Sequence, residues 1–83
     1  MKKFNPSKET LLALQQLVYN SGRKFKYYLR LLHSSLDSDI HFYSNILVQR
    51  GIHRDDVNLI CAIPKSQIEK ISRSFIREKL REF

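Results

Sequence analysis

The chain has 83 residues, 42 % hydrophobic and 28 % charged. So short a chain buries only about 60–65 % of its unfolded surface around one small core. The reading is therefore a single domain over residues 1–83, which excludes a two-domain enzyme, a TIM barrel and a complete Rossmann domain. Fifteen Lys and Arg against eight Asp and Glu leave a net charge of +7, a field attractive to polyanions: nucleic acid first, acidic membranes or acidic proteins second.

The single cysteine, Cys61, excludes an internal disulfide and a Cys-rich zinc finger. No apolar run approaches the ~18 residues of a membrane span. The opening Met1-Lys2-Lys3-Phe4-Asn5-Pro6 is charged, with no apolar stretch behind it, so it does not read as a secretory signal. The expected location is cytoplasmic. Two Gly and two Pro are few for the turns of an all-β chain, and no segment alternates apolar and polar residues for long. The expected fold is all-α, a small bundle of about five helices with short joints.

The first helix is predicted over about residues 7–20, started by Asn5-Pro6 or Ser7, with Pro6 suited to the first helical position. Leu11, Leu14, Leu17 and Val18 recur at helical spacing, and Gly22 is available for a left-handed cap. The second, about 23–33, buries Phe25, Tyr28, Leu29 and Leu32 and turns Arg23, Lys26, Tyr27 and Arg30 the other way; Ser34-Ser35 breaks it. The third, about 37–50, buries Ile40, Tyr43, Ile46 and Leu47, has Asp37 and Asp39 in its first turn, and stops at Gly51. A short fourth covers about 54–62. The last is predicted over about 65–81 with the stripe Ile68, Ile71, Phe75, Ile76, Leu80 and Phe83.

Residues 54–73 carry the most information. They place Val57, Cys61, Ile63, Ile68 and Ile71 at apolar positions around the joint Ala62-Ile63-Pro64, with a polar start to the segment beyond. This pattern resembles the helix-turn-helix of bacterial and phage DNA-binding regulators, in which two short helices cross steeply over a turn of three or four residues. Ala62 stands at the turn position where that family prefers glycine, and Asn58 where Ala or Gly is usual. The same apolar pattern also suits a helical hairpin in an ordinary bundle.

The resemblance implies that the second helix enters the major groove of double-stranded DNA. Gln67 would then bond adenine, Lys65, Lys70 or Arg73 would reach guanine or phosphate, Ser66 would meet a phosphate, and Arg77 would follow one turn on. Glu69 reads as a charge partner for Arg73. The basic stretch Arg23, Lys26, Tyr27 and Arg30, in a region with no acid between Thr10 and Leu36, is a second candidate for the phosphate backbone. Its aromatics also allow stacking on the unpaired bases of an RNA.

Cys61 reads as a buried, inert thiol. His33, Asp37 and His41 share an i, i+4, i+8 spacing, but the break at Ser34-Ser35 and the lack of a fourth ligand leave no metal site. No phosphate loop, nucleophile elbow or paired-carboxylate site is present. The sequence thus describes a DNA-binding transcriptional regulator that is not an enzyme and needs no cofactor, expected to act as a homodimer. Ile76, Leu80 and Phe83, or the first helix, are the candidate subunit contact. The alternatives are a helical interaction module that meets an acidic protein partner, and an RNA-binding protein.

Overall fold

The computed structural model describes residues 5–34 and 37–83, with side-chain positions for 5–33 and 42–83. Its α-helices are α1 (Lys8–Ser21), α2 (Phe25–Ser34), α3 (Asp37–Gln49), α4 (Arg54–Cys61) and α5 (Arg73–Arg81). Two 3-10 segments, Gly22–Lys24 and Lys65–Lys70, complete the regular structure, and no strand occurs among the described residues. The all-α class and the five helices agree with the periodicity of the sequence. Ser35 of the proposed break at Ser34-Ser35 and the side chains of Asp37, Asp39, Ile40 and His41 lie outside the described positions.

The ends of the elements follow from local chemistry. Ser7, in extended conformation, caps α1: its Oγ accepts the N–H of Thr10 at 3.2 Å. Pro6 therefore precedes the cap rather than opening the helix, and it is buried. Pro6 and Leu11 occupy the two positions of a hydrophobic staple. Gly22 takes a positive φ of 54° and returns its N–H to the Val18 carbonyl. Gly51, at φ 105°, ends α3 with a Schellman motif: Ile52 N–H reaches Leu47 O at 3.1 Å and Gly51 N–H reaches Val48 O at 3.0 Å. Ile52 and Leu47, which that motif brings together, are both fully buried. His53 caps α4 through Nδ1, which accepts the N–H of Asp55 at 3.1 Å.

Among the described residues the core is a single cluster. Leu14 and Leu17 of α1, Phe25, Leu29 and Leu32 of α2, Leu47 of α3, and Val57 and Ile60 of α4 meet Ile63, Ile68, Ile71 and Ile76 from the last third of the chain. α1 is the central rod, packed against α4 and α5 and also against α2. Tyr28, Tyr43, Cys61, Phe75 and Leu80 are half-buried against this cluster. Ile76 lies within it and so offers no subunit contact, whereas Phe83 stands 64 % exposed.

The last predicted helix is the main departure. Residues 65–81 are not one rod. Lys65–Lys70 is a six-residue 3-10 segment, Ile71 is extended at φ −87°, ψ 113°, and Ser72 caps a separate α5. The second α-helix implied over 65–73 by the helix-turn-helix resemblance is replaced by this 3-10 segment. A continuous helix would bond Ile68 O to Ser72 N–H and Ile71 O to Phe75 N–H. Instead the Lys26 ammonium donates to both carbonyls, 2.8 Å from Ile68 O and closer still to Ile71 O, while Phe75 N–H turns to Ser72 Oγ at 3.0 Å. The joint before it, Ala62-Ile63-Pro64, is a turn and bend. Ala62 there is right-handed, at φ −78° and ψ −10°, so it carries none of the strain of a left-handed turn residue.

Candidate nucleic-acid interface

Two basic stretches far apart in sequence meet in space. α2 lies along the 3-10 segment Lys65–Lys70, tied by Lys26 at one point and by Arg30 at another. Arg30 Nε donates to Glu69 Oε1 at 2.9 Å and Nη2 donates to Oε2 at 3.0 Å, a two-toothed pair. Glu69 thus pairs with Arg30 and not, as its sequence neighbourhood suggests, with Arg73. Both side chains are well exposed. The Arg30 bonds hold the Glu69 carboxyl below its ordinary value, partial burial opposing them slightly, and the same carboxylate raises the Arg30 guanidinium.

Lys26 has a different fate from the one its sequence position suggests. Its ammonium is half-buried and committed to two main-chain carbonyls. Burial lowers its pKa, the Glu69 charge partly offsetting this and the Arg30 charge adding to it. Lys26 is therefore a fastening between α2 and the 3-10 segment rather than a free cation on the surface.

The remaining candidates point outward. Arg23 is exposed on the 3-10 turn Gly22–Lys24 that leads into α2, and Tyr27 and Arg30 are exposed on α2, as are Lys65, Ser66 and Lys70 on the segment Lys65–Lys70 and Arg73 and Arg77 on α5. Gln67 is half-buried, and its Oε1 is fully enclosed without a partner among the described residues. This carboxamide faces inward at its oxygen end, so it is placed to support the segment rather than to read a base. Tyr27 is 57 % exposed and meets the edge of Tyr28 at 5.5 Å. Tyr28 itself is held by Arg50, whose Nη1 donates to the phenol oxygen at 3.0 Å.

Three surface depressions trace how these groups join. One runs between Arg30 and His33 on α2 and Lys65 and Glu69 opposite. A second places Arg23 and Lys26 beside Ser72 and Arg73. A third lies between α1 and α5, where Gln15 and Tyr19 face Arg73 and Arg77 over Val18 and Ile76. Arg73 borders both of the latter two. The three together form one cationic face along α2, the 3-10 segment and α5. Within residues 63–77 the only acid is Glu69, and Arg30 neutralises it.

Tyr19 is absent from the sequence-based candidates because it reads as the solvated side of an amphipathic helix. Only the placement of α5 across α1 makes it part of this face. Cys61, expected to be deeply buried, is half-buried and free. Burial raises its thiol pKa, and a hydrogen bond with buried Ser44 partly counters that, which leaves the protonated, unreactive form at neutral pH. Among the described residues no group of three or more His, Cys, Asp or Glu is placed to hold a metal ion, and no helix is long and apolar enough to cross a membrane. Comparison with known proteins found no matching protein family, no matching curated protein and no matching solved structure.

Proposed function

We propose that this chain is a small cytoplasmic DNA-binding protein, a transcriptional regulator that acts by binding rather than by catalysis. Its interface is the cationic face of α2, the 3-10 segment and α5. The observation that carries this reading is the junction made by Lys26 and Arg30. It brings Arg30 beside Lys65 and Arg23 beside Arg73, with Lys70 and Arg77 exposed on the same two elements, and it leaves the one acid of that strip paired. A row of exposed guanidinium and ammonium groups on a rigid support suits the phosphate backbone of a duplex, which they hold by charge and hydrogen bonds. α5 is the element best placed to approach a groove, because it is a true α-helix with Arg73, Ser74, Arg77 and Arg81 exposed. It takes the place of the helix expected to start at Lys65. Two copies would act together, since one module of this size buries little surface for a specific complex.

Fluorescence anisotropy with a pool of random duplexes tests the reading. Wild type is expected to bind with an affinity that falls steeply with salt and persists at physiological ionic strength, and selection from the pool should enrich a common sequence. The double variant Lys70→Ala/Arg73→Ala should bind at least about tenfold more weakly. Equal binding by the variant, or binding that vanishes by physiological salt, would remove the DNA reading in favour of an acidic protein partner. Preferential competition by RNA would move the ligand class to RNA.

A further inference from the structure

The depression between α1 and α5 has a composition that the rest of the cationic face lacks. Tyr19 stands on its rim, 79 % exposed, the most exposed large hydrophobic side chain among the described residues. Across from it are Arg73 and Arg77, one turn apart on α5. Val18 and Ile76 form an apolar floor, and Gln15 adds a carboxamide able both to donate and to accept. Among the described residues no carboxylate lies within ion-pair distance of either arginine. The depression is an open groove of about 200 Å³, room for a flat ring, since about 150 Å³ already holds benzene.

An exposed aromatic face beside two unpaired guanidinium groups is the chemistry that recognises a flat ring carrying a phosphate. The ring stacks on the tyrosine and covers the apolar floor, the arginines hold the phosphate, and the carboxamide reads the ring's polar edge. Base pairs inside a duplex present no free ring face, so the occupant must be unstacked. We infer that the groove between α1 and α5 is a site for one unstacked nucleotide, with its base on Tyr19 and its phosphate on Arg73 and Arg77. The source favoured by the surroundings is a single-stranded end or an extruded base in bound DNA, because Arg73 also borders the depression that leads to Arg23, and a strand leaving the groove meets cations there. In that form the inference rests on the DNA-binding reading above. A free nucleoside monophosphate shares the chemistry and is the second source.

The experiment compares a labelled blunt duplex with the same duplex carrying a short single-stranded overhang, and titrates adenosine monophosphate separately. It uses the full chain and the variants Tyr19→Ala and Tyr19→Phe. Tyr19 is exposed, so neither change disturbs the core, and thermal melting checks this. The overhang should improve wild-type affinity by about tenfold, the usual scale of one base stacked on an aromatic ring. Tyr19→Ala should erase that advantage, so that the overhang and blunt duplexes bind alike, while Tyr19→Phe keeps it. Tyr19-dependent binding of adenosine monophosphate without any gain from the overhang would establish the site with a free nucleotide as its occupant. Equal affinity for both duplexes with no binding of adenosine monophosphate overturns the site and leaves DNA binding standing. An overhang advantage that survives Tyr19→Ala overturns it as well. Binding of neither DNA and no nucleotide overturns both readings together.

Discussion

Glu69 shows how one side chain connects the two basic stretches. Its carboxylate accepts both hydrogen bonds that Arg30 offers, and its pKa falls because the ionised form keeps those bonds and the protonated form gives up one. A group whose folded pKa lies below its unfolded value contributes stability above the unfolded value and loses it as the pH drops through the folded one. The pair therefore holds α2 against the 3-10 segment throughout the neutral range and releases only in acid, below the ordinary carboxylate region. A carbon-detected NMR titration should find the Glu69 midpoint below the ordinary glutamate value. In Arg30→Gln the Glu69 midpoint should rise, since the Arg30 hydrogen bonds are the largest cause of its depression. A midpoint that does not move in this variant would mean that Arg30 is not the cause.

At the scale of elements, the split between Lys65–Lys70 and α5 depends on Lys26. The ammonium of a residue on α2 takes over carbonyls that a continuous helix would satisfy internally. Lys26→Met keeps the aliphatic stem and removes the donor. It should destabilise the protein by about 1–2 kcal/mol in urea unfolding, the range for a partly exposed charge-assisted hydrogen bond, and it should speed amide exchange at Ile71. Unchanged stability together with unchanged exchange would show that Ile71 is extended for other reasons. This dependence also explains which elements were legible in the sequence. α1 to α4 each declare themselves locally, through Ser7 at one end, Gly22 and Gly51 at others, and leucines at helical spacing. The break at Ile71 does not, because Ile68, Ile71, Phe75 and Ile76 fit a helical stripe whether or not the backbone continues. Ile68 and Ile71, three apart, suit a 3-10 turn as well as an α-helix. The deciding group lies more than forty residues away. For the same reason the exposed cations of the candidate site were readable one by one from charge and periodicity. The structural role of Lys26, the pairing of Glu69 and the inclusion of Tyr19 required the tertiary arrangement.

For the whole molecule, binding face and core share one scaffold, since α1 supplies both the centre of the core and one wall of the α1–α5 groove. Leu14 is fully buried in that cluster. A chain of this size has total stability of roughly 4–12 kcal/mol, and Leu→Ala in a well-packed core removes about 2–5 kcal/mol. Leu14→Ala is therefore expected to lower the melting temperature by at least about 10 °C and, near the lower end of the stability range, to leave a large unfolded fraction at room temperature. Arg77→Gln, on the exposed side of α5, should leave the melting temperature within about 2 °C, since surface changes away from caps and networks are small. The two variants should also differ in DNA binding. Leu14→Ala should lower only the fraction of active protein, with the salt slope of the remaining binding unchanged. Arg77→Gln should keep all of the protein active and reduce the slope of log K against log salt by about 0.9, the release of counterions from one phosphate contact. A melting shift as large in Arg77→Gln as in Leu14→Ala would make Arg77 part of the scaffold. An unchanged slope would take it out of the interface.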